Sequence, residues 1–220
     1  MPKTIDIKGT IINDGDKWIY DLFDEPSCCP SDIHQAFENL ADDEEIQVVI
    51  NSPGGDIFAA SEIYDLLASA KNASIKVVYA ASAASYIACA CKSEIVPTGM
   101  FMIHNVSSYA SGDYNDMSHS SDVLLTASKA IASAYRLKTG MNEDELISMM
   151  DKETWLTAEQ AVEKGFIDNV SDYQNNSNVR LAASLTGLIP QKIVAELKAK
   201  KSRLKAEIEL LKLKGDVKND

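Results

Sequence analysis

The stretch from Ile75 to Cys91 constrains the fold more than any other part of this sequence. It opens as an apolar run rich in β-branched residues, IKVVY, which is typical of a buried strand. Small residues then lead into SYIACAC, a segment that is apolar on every face when it is written as a helix. A strand followed at once by such a helix predicts the interior of an α/β domain.

Ser85 stands where this strand is expected to turn into the helix. The free N–H groups and the dipole of a helix N-terminus favour negative charge, which a serine nucleophile needs for the oxyanion of its intermediate. The alternative is that the small residues only allow close packing and that Ser85 is a helix N-cap.

Two further stretches favour the nucleophile. An apolar strand ending at Ile50 runs into the segment NSPGGD, whose paired glycines permit positive φ and bring backbone N–H groups close to a ligand. A second apolar strand, over 100–103, ends in His104. A serine, a Gly-Gly backbone donor and a histidine at a strand end are three parts of an acyl-transfer site.

The remaining pattern alternates strands and helices, which predicts a parallel sheet with right-handed connections. We expect strands over 4–12, 18–23 and 166–170. Residues 105–121 are polar and are predicted to be a loop or a substrate-binding ribbon, followed by a long helix from Asp122 to Thr139-Gly140. Helix caps are predicted at Ser31, at Asn142 with Glu145, at Thr157 with Gln160, and at Gly165.

Composition disfavours several classes of protein. A formal charge of −12 argues against a nucleic-acid-binding body, and no apolar run approaches membrane-spanning length. The four cysteines, at positions 28, 29, 89 and 91, predict reduced thiols in a cytoplasmic protein and no metal site. The sequence has no signal-peptide pattern and no phosphate-binding loop, so we expect no cofactor and no nucleotide hydrolysis by the chain itself.

Five motifs, taken in order, resemble those of the Clp protease proteolytic subunit family of serine peptidases: INSPGGD, SEIYDLL, AASAASYIA, MIHN and ETWLTAEQAVEKGFID. The resemblance covers roughly residues 5–172 and implies an α/β, ClpP/crotonase-like spiral of ββα units. It implies Ser85 as the nucleophile and His104 as the general base and acid. It also implies an oxyanion hole formed by the backbone N–H groups of Gly55 and Tyr86.

The third member of the triad is where this sequence departs from the family. The family's aspartate falls two residues before an aromatic residue, here Trp155, so the matching position is Glu153. A glutamate can orient an imidazole, although its extra methylene requires the backbone to be set back. Asp151 is the alternative, and an arrangement with no ordered carboxylate is the third option.

The resemblance also implies polypeptide substrates and a homo-oligomer, expected as a heptameric ring or double ring with the long helix as the handle between rings. The short front end and the long tail resemble the phage and prophage branch, the head maturation proteases, for which we expect capsid, portal or scaffold substrates. Because the sequence begins almost at its first strand, we expect no AAA+ ATPase partner. We expect the protein to act in the bacterial cytoplasm or in virion assembly.

Three parts are predicted along the chain: a protease domain over 1–173, a linker over 174–189 and a helical basic tail over 190–220. Residues 191–214 carry eight basic and three acidic residues, with leucines at 197, 204 and 211. We expect either a short coiled coil or assembly contact, or a solvated helix.

Three alternative hypotheses remain. A signal-peptide-peptidase-type relative would pair its serine with a lysine, and Lys71, Lys76 and Lys92 are the nearby lysines. A crotonase-type acyl-CoA enzyme would not need the pair of Ser85 and His104. A catalytically silent ring protein that acts in assembly would tolerate a weak or missing third carboxylate.

Overall fold

The computed structural model describes residues 2–38 and 44–172, together with the helical residues 199, 200, 203, 206 and 207. The predicted linker over 174–189 lies outside these residues, as does nearly all of the predicted tail over 190–220.

Within the described residues, seven strands form one mixed sheet flanked by helices. The strands are β1 (Lys3–Ile11), β2 (Ser27–Cys28), β3 (Ile46–Gly55), β4 (Ala73–Ala81), β5 (Lys92–Ile103), β6 (Thr154–Thr157) and β7 (Asn169–Val170). The helices are α1 (Lys17–Leu22), α2 (Pro30–Glu38), α3 (Ile57–Ser69), α4 (Ala83–Ile87), α5 (Tyr114–Thr139), α6 (Glu143–Asp151) and α7 (Ala158–Glu163).

The sheet has the order β2-β1-β3-β4-β5-β6, and β7 pairs with β5. All of these pairings are parallel except that of β5 with β6. The carboxyl ends of the parallel strands β3, β4 and β5 therefore lie at one edge, where ligands bind in open α/β sheets. This mostly parallel sheet confirms the predicted α/β class.

Helices α3 and α4 cover the sheet next to this edge. The Asp56 side chain begins α3 by accepting hydrogen bonds from the N–H groups of Phe58 and Ala59, and Ile63 and Leu67 on its inner face are fully buried. All five residues of α4 are buried, as the apolar character of this segment predicts.

Several predicted elements were wrong. Ser31 was expected to cap a helix, but α2 begins at Pro30, so Ser31 lies inside its first turn. The strand expected over 166–170 is limited to Asn169–Val170. Residues 18–23 were expected to form a strand, but α1 occupies most of them, after the Asn13 side chain accepts from Asp16 N and starts a 3-10 turn that leads into the helix. The long helix begins at Tyr114 rather than at Asp122, because Asp113 and Asp116 form a capping box. Its first turns are polar and exposed, so they carry no apolar pattern that would indicate a helix.

The helix ends predicted at Gly140, Asn142 and Thr157 are confirmed. Gly140 ends α5 in the left-handed conformation, with φ of +73°. Asn142 caps α6 by accepting from Glu145 N, and Thr157 and Gln160 form a capping box at α7.

A half-buried ion pair fixes the C-terminal end of α5 to the sheet. Lys138 Nζ lies 2.6 Å from Asp168 Oδ2 and 3.0 Å from the carbonyl oxygen of Cys91, and Ser93 N donates to the same carboxylate. Partial burial acts to raise the pKa of Asp168, but the hydrogen bonds from Lys138 and Ser93 outweigh it and hold the pKa below its ordinary value.

We expect Lys138→Met to lower the free energy of unfolding by about 1–2 kcal/mol at pH 7, because it removes a charge-assisted hydrogen bond from a carboxylate that stays partly solvated. Since the folded-state pKa of Asp168 is lowered, this stabilisation is present above the ordinary pKa of 3.8 and is lost as the pH falls through the lower folded value. Urea denaturation at a series of pH values measures it.

Lys129→Met is the matched control, because Lys129 lies on the same helix in an exposed pair with Glu143 at 3.9 Å. We expect it to change the unfolding free energy by less than about 0.5 kcal/mol. Equal losses for the two variants, or a Lys138→Met loss that does not shrink as Asp168 becomes protonated, would contradict the assignment.

Candidate active site

Ser82 occupies the turn between β4 and α4 in a backbone conformation that is rare for a residue with a side chain. Its φ is +56° and its ψ is −126°. Its N–H donates to the carbonyl of Met102 on β5, and its carbonyl accepts from Ser85 N. Positive φ at a serine between a strand and a helix is the geometry that exposes a nucleophile at the edge of a sheet.

The hydroxyl group of Ser82 contacts the imidazole of His104. Oγ lies 2.7 Å from Nε2, within hydrogen-bonding distance. His104 directly follows β5, the neighbour of β4, so adjacent parallel strands deliver the two side chains to the same edge. A hydroxyl bonded to an imidazole is the arrangement in which the imidazole can act as a general base.

The structure corrects the predicted pairing of Ser85 with His104. Ser85 is fully buried on the inner side of α4, and its hydroxyl is bonded to the carbonyl of Ser82 at 2.6 Å and to the Tyr135 hydroxyl at 2.7 Å. The helix begins at Ala83, two residues before the predicted start at Ser85, so Ser85 is its third residue and lies within its first turn. The tripeptide Ala-Ala-Ser occurs twice in succession, at 80–82 and 83–85, so the motif fits in two registers.

The signal that distinguishes these registers was present in the sequence. Ser82 is the serine nearer to the end of the apolar strand, and a nucleophile on a tight turn has to stand at the strand end. Ser85 lies inside the segment that was itself recognised as apolar on every face, where a reactive hydroxyl would have no access to a substrate.

The two glycines of NSPGGD lie against this turn, each at positive φ. Gly54 has φ of +95°, and a Cβ built on it would lie 2.7 Å from the carbonyl oxygen of Ala81 and 2.7 Å from Ser82 Cβ. Gly55 has φ of +151°, and its Cβ would overlap the carbonyl oxygen of Ile11. Only glycine lets the backbone approach Ser82 this closely.

A small cavity of about 60 Å³ lies over these groups. Its lining includes Gly55, Ser82, Ala83, His104 and Tyr135. Ala83 directly follows Ser82, the serine in contact with His104, just as Tyr86 directly follows Ser85.

Tyr86 itself does not line this cavity. It is 2% exposed, and its hydroxyl donates to the carbonyl of Ile57 at 2.6 Å. Lys71, Lys76 and Lys92 also lie outside the lining, and Lys76 pairs with Glu94 at 3.5 Å, so no lysine that the sequence offered stands beside the Ser82 hydroxyl.

Neither candidate carboxylate is bonded to His104. Glu153 Oε1 accepts from the indole N–H of Trp155 at 3.1 Å, and Asp151 Oδ1 accepts from the side-chain amide of Asn105 at 2.7 Å. Among the described residues, no carboxylate bonds to the other imidazole nitrogen, Nδ1. The acid–histidine contact expected from the sequence is therefore not formed in this structure.

Glu153 nevertheless lies close to His104 along the sheet. Ile103 and Thr154 are register partners in the antiparallel pair of β5 and β6, so the next residues outward are His104 and Glu153. Glu153 departs from strand geometry with φ of +50°, a conformation that costs a non-glycine residue about 1–2 kcal/mol.

In the described ranges, no three His, Cys, Asp or Glu side chains come together as a metal ion would require. Among the described helices, none combines the length and apolar character of a membrane span. All four cysteines are free thiols, and burial raises the pKa of Cys28 and of Cys89 to about 12.

Comparison with known proteins identifies similar sequences. The family described as Clp protease matches residues 34–174. ATP-dependent Clp protease proteolytic subunit 2 of Thermobifida fusca is 33% identical over 133 residues, which are 58% of this chain and 66% of that protein. Subunit 2 of Nocardia farcinica is 29% identical over 140 residues, covering 61% and 68% of the two chains. Subunit 1 of Streptomyces avermitilis is 31% identical over 145 residues, covering 64% and 66%. The matched region thus spans about two thirds of each relative's length.

We expect Gly54→Ala to destabilise the protein more than Gly140→Ala. Both glycines have positive φ, so both variants incur the cost of about 1–2 kcal/mol for a side chain in this conformation. Only at Gly54 does the new methyl group also meet Ala81, Ser82 and Ala83, which adds about 1–3 kcal/mol of overpacking. Urea denaturation compares the two.

The Gly140 methyl group would meet nothing within 4 Å, which makes that variant the control for backbone strain. Equal destabilisation of the two variants would show that the backbone of Gly54 is not held against the Ser82 turn.

Proposed function

Since the chain belongs to the Clp protease family of serine-type peptidases, we propose that it hydrolyses peptide bonds with Ser82 as its nucleophile. The observation that supports this role is the 2.7 Å contact between Ser82 Oγ and His104 Nε2. The Ser82 hydroxyl attacks the scissile carbonyl while His104 takes its proton. His104 then gives that proton to the leaving amine, and a water molecule attacks the acyl-enzyme with His104 again as the base.

We propose the backbone N–H groups of Gly55 and Ala83 as the oxyanion hole. Both residues line the cavity over Ser82, and Ala83 is the first residue of α4. Backbone donors fixed before the reaction stabilise the developing negative charge without reorganising. Ala83 replaces Tyr86 in this role because the nucleophile moves from Ser85 to Ser82.

For the third member of the triad we retain Glu153, with Asp151 as the alternative. Glu153 is one residue beyond the β5–β6 ladder and opposite His104, so a rotation of its side chain away from Trp155 brings the carboxylate toward the imidazole. Asp151 is bonded to Asn105, which adjoins His104 in sequence, and would have to leave that amide.

We also propose a homo-oligomer, on the support of exposed apolar side chains on two helices. Phe58 on α3 is 80% exposed and Leu137 on α5 is 76% exposed. They line opposite sides of an apolar cavity of about 330 Å³ between these helices. Surfaces of this kind favour burial between subunits. A heptameric ring or double ring remains the expected form, and light scattering measures the number of subunits.

We also propose four finer assignments. They are the phage or prophage head maturation role, the capsid, portal or scaffold substrates, the cytoplasmic setting and the absence of an ATPase partner. The relatives from Thermobifida fusca and Nocardia farcinica are named ATP-dependent, which is a statement about those proteins. Adding a cognate unfoldase and ATP to a degradation assay tests the last of these proposals.

A catalytically silent assembly protein is the second candidate, and one observation favours it. Among the described residues, no carboxylate is bonded to His104, and a histidine without an orienting carboxylate is a weaker base. Reactivity of the serine distinguishes the two candidates.

We expect a fluorophosphonate probe to label the wild-type chain and Ser85→Ala but not Ser82→Ala. The probe reacts with a serine that a neighbouring base has activated, and only Ser82 contacts His104. His104→Ala should lower the labelling rate by at least about 100-fold, because it removes the general base. Mass spectrometry of the labelled peptide identifies the modified serine.

Unlabelled Ser85→Ala beside a labelled Ser82→Ala would restore Ser85 as the nucleophile. A folded wild-type oligomer that the probe never labels would support the silent assembly protein instead.

We expect Glu153→Gln to lower kcat by about 10- to 1,000-fold, since it removes the charge that orients the imidazole and stabilises its protonated form. Asp151→Asn should leave kcat within about threefold of wild type. Trp155→Phe removes the indole N–H that now holds Glu153, so it should leave kcat unchanged or raise it.

The kinetics of a fluorogenic peptide measure these effects, with urea denaturation to confirm that each variant folds. A large loss in Asp151→Asn with none in Glu153→Gln would assign the role to Asp151. A loss in neither would exclude both Glu153 and Asp151 as the third member.

A further inference from the structure

A chain of buried hydroxyl groups connects the long helix α5 to the nucleophile turn. The Tyr135 hydroxyl lies 2.7 Å from Ser85 Oγ, and Ser85 Oγ lies 2.6 Å from the carbonyl oxygen of Ser82. Ser85 is fully buried and Tyr135 is 1% exposed. Neither hydroxyl takes part in the proposed proton transfer. Ser85 is nevertheless bonded to the carbonyl of Ser82, the proposed nucleophile, and Tyr135 is bonded to Ser85.

The donors in this chain have a fixed direction. A carbonyl oxygen only accepts hydrogen bonds, so the single proton of the Ser85 hydroxyl has to point at Ser82. The Tyr135 hydroxyl must then donate to Ser85, which accepts through a free lone pair. Burial raises the pKa of Tyr135, which keeps the phenol protonated and able to donate.

The chain ends on the peptide group that carries the proposed oxyanion donor. The carbonyl of Ser82 and the N–H of Ala83 belong to one planar peptide unit, so they point in opposite directions. The carbonyl accepts two bonds on the buried side, from Ser85 N at 3.0 Å and from Ser85 Oγ. Bonds to a carbonyl polarise the amide and strengthen its N–H as a donor, because hydrogen-bonded chains are cooperative.

We propose that Tyr135 and Ser85 are positioning residues that orient and polarise the Ser82–Ala83 peptide, so that the Ala83 N–H stabilises the oxyanion. This proposal rests on the function proposed above, in which Ser82 is the nucleophile and Ala83 is one of the two oxyanion donors. Neither residue contacts the substrate's reacting atoms through its hydroxyl. Their effect passes through one peptide group.

The position of the Tyr135 ring supports this role. It meets the Phe166 ring edge to face, with centroids 5.5 Å apart and an interplanar angle of 84°. Phe166 is itself fully buried, so the phenol cannot swing away from Ser85. The Tyr135 hydroxyl therefore couples the position of α5 to the turn at Ser82 through its bond to Ser85.

The test is the inactivation kinetics of the full-length protein with a fluorophosphonate, whose tetrahedral adduct places a phosphoryl oxygen in the oxyanion hole. We expect Tyr135→Phe to lower the limiting rate constant, kinact, by about 3- to 10-fold while the half-saturating concentration KI stays unchanged. Ser85→Ala should lower kinact by at least as much, because it removes the last bond of the chain as well.

The double variant tests whether the two residues act as one unit. We expect Tyr135→Phe to add less than about twofold to the effect of Ser85→Ala, since the tyrosine acts through the serine. Ser93→Ala is the control, because Ser93 is a buried serine outside the Tyr135–Ser85–Ser82 hydrogen bonds. Ser93 is 2% exposed and its hydroxyl is bonded to Asp168. We expect this variant to leave kinact unchanged. Urea denaturation confirms that each variant is folded.

Four outcomes overturn the proposal. A folded Tyr135→Phe variant with the wild-type kinact would show that the chain does not act on the oxyanion donor. A rise in KI with unchanged kinact, or full additivity in the double variant, would assign the residues to packing. A wild-type chain that never reacts refutes the proposed function, and this proposal with it; that failure is distinguishable because every variant is then equally unreactive.

Discussion

Ser82 holds a backbone conformation that costs about 1–3 kcal/mol, and the candidate site depends on the contacts that maintain it. On one side its N–H is bonded to Met102, which is two residues before His104. On the other side its carbonyl is bonded to α4 through Ser85. Gly54 closes the third side, with no room for a side chain. A turn fixed from three directions cannot relax into a helix or a strand, so its hydroxyl stays at the edge of the sheet.

The same bond between Ser82 and Met102 also sets the distance between Ser82 and His104. Strands β4 and β5 are register partners through Ala81 and Met102, so Ser82 and His104 leave the sheet from adjacent strands within two residues of that pair. No long loop intervenes between the sheet and either side chain. The 2.7 Å contact therefore follows from strand register, and register in a buried sheet is strongly specified.

Much of this fold was predictable from the sequence, because its signals are local. Alternating apolar runs indicated the parallel strands, and the caps at Asn142 and Thr157 indicated where helices start. The sequence predicted Ser85 as the nucleophile, whereas the serine that contacts His104 is Ser82, since the repeated Ala-Ala-Ser satisfies the same motif twice and the choice depends on where β4 ends. The hydrogen-bond partners of Glu153 and Asp151 were also beyond prediction, because they are set by side-chain rotamers and by the positive φ of Glu153.

The proposed catalytic groups are held by two kinds of bond. Ser82, His104 and Ala83 are held by bonds between different elements, whereas Glu153 is held by a bond to a near neighbour in sequence. This difference explains why the first set is assembled and Glu153 is not in contact with His104. The proposed nucleophile, its base and the Ala83 peptide are bonded to three separate packed elements, β5, α4 and α5, so moving any one of them disturbs the core. The carboxylate of Glu153 is held by a single bond to Trp155, two residues away, on a side chain that solvent reaches. Such an exposed bond is worth about 1 kcal/mol or less. Burial of His104 by a bound substrate, followed by transfer of the Ser82 proton to His104, would therefore favour the rotation of Glu153 toward the imidazole without moving the Ser82 turn.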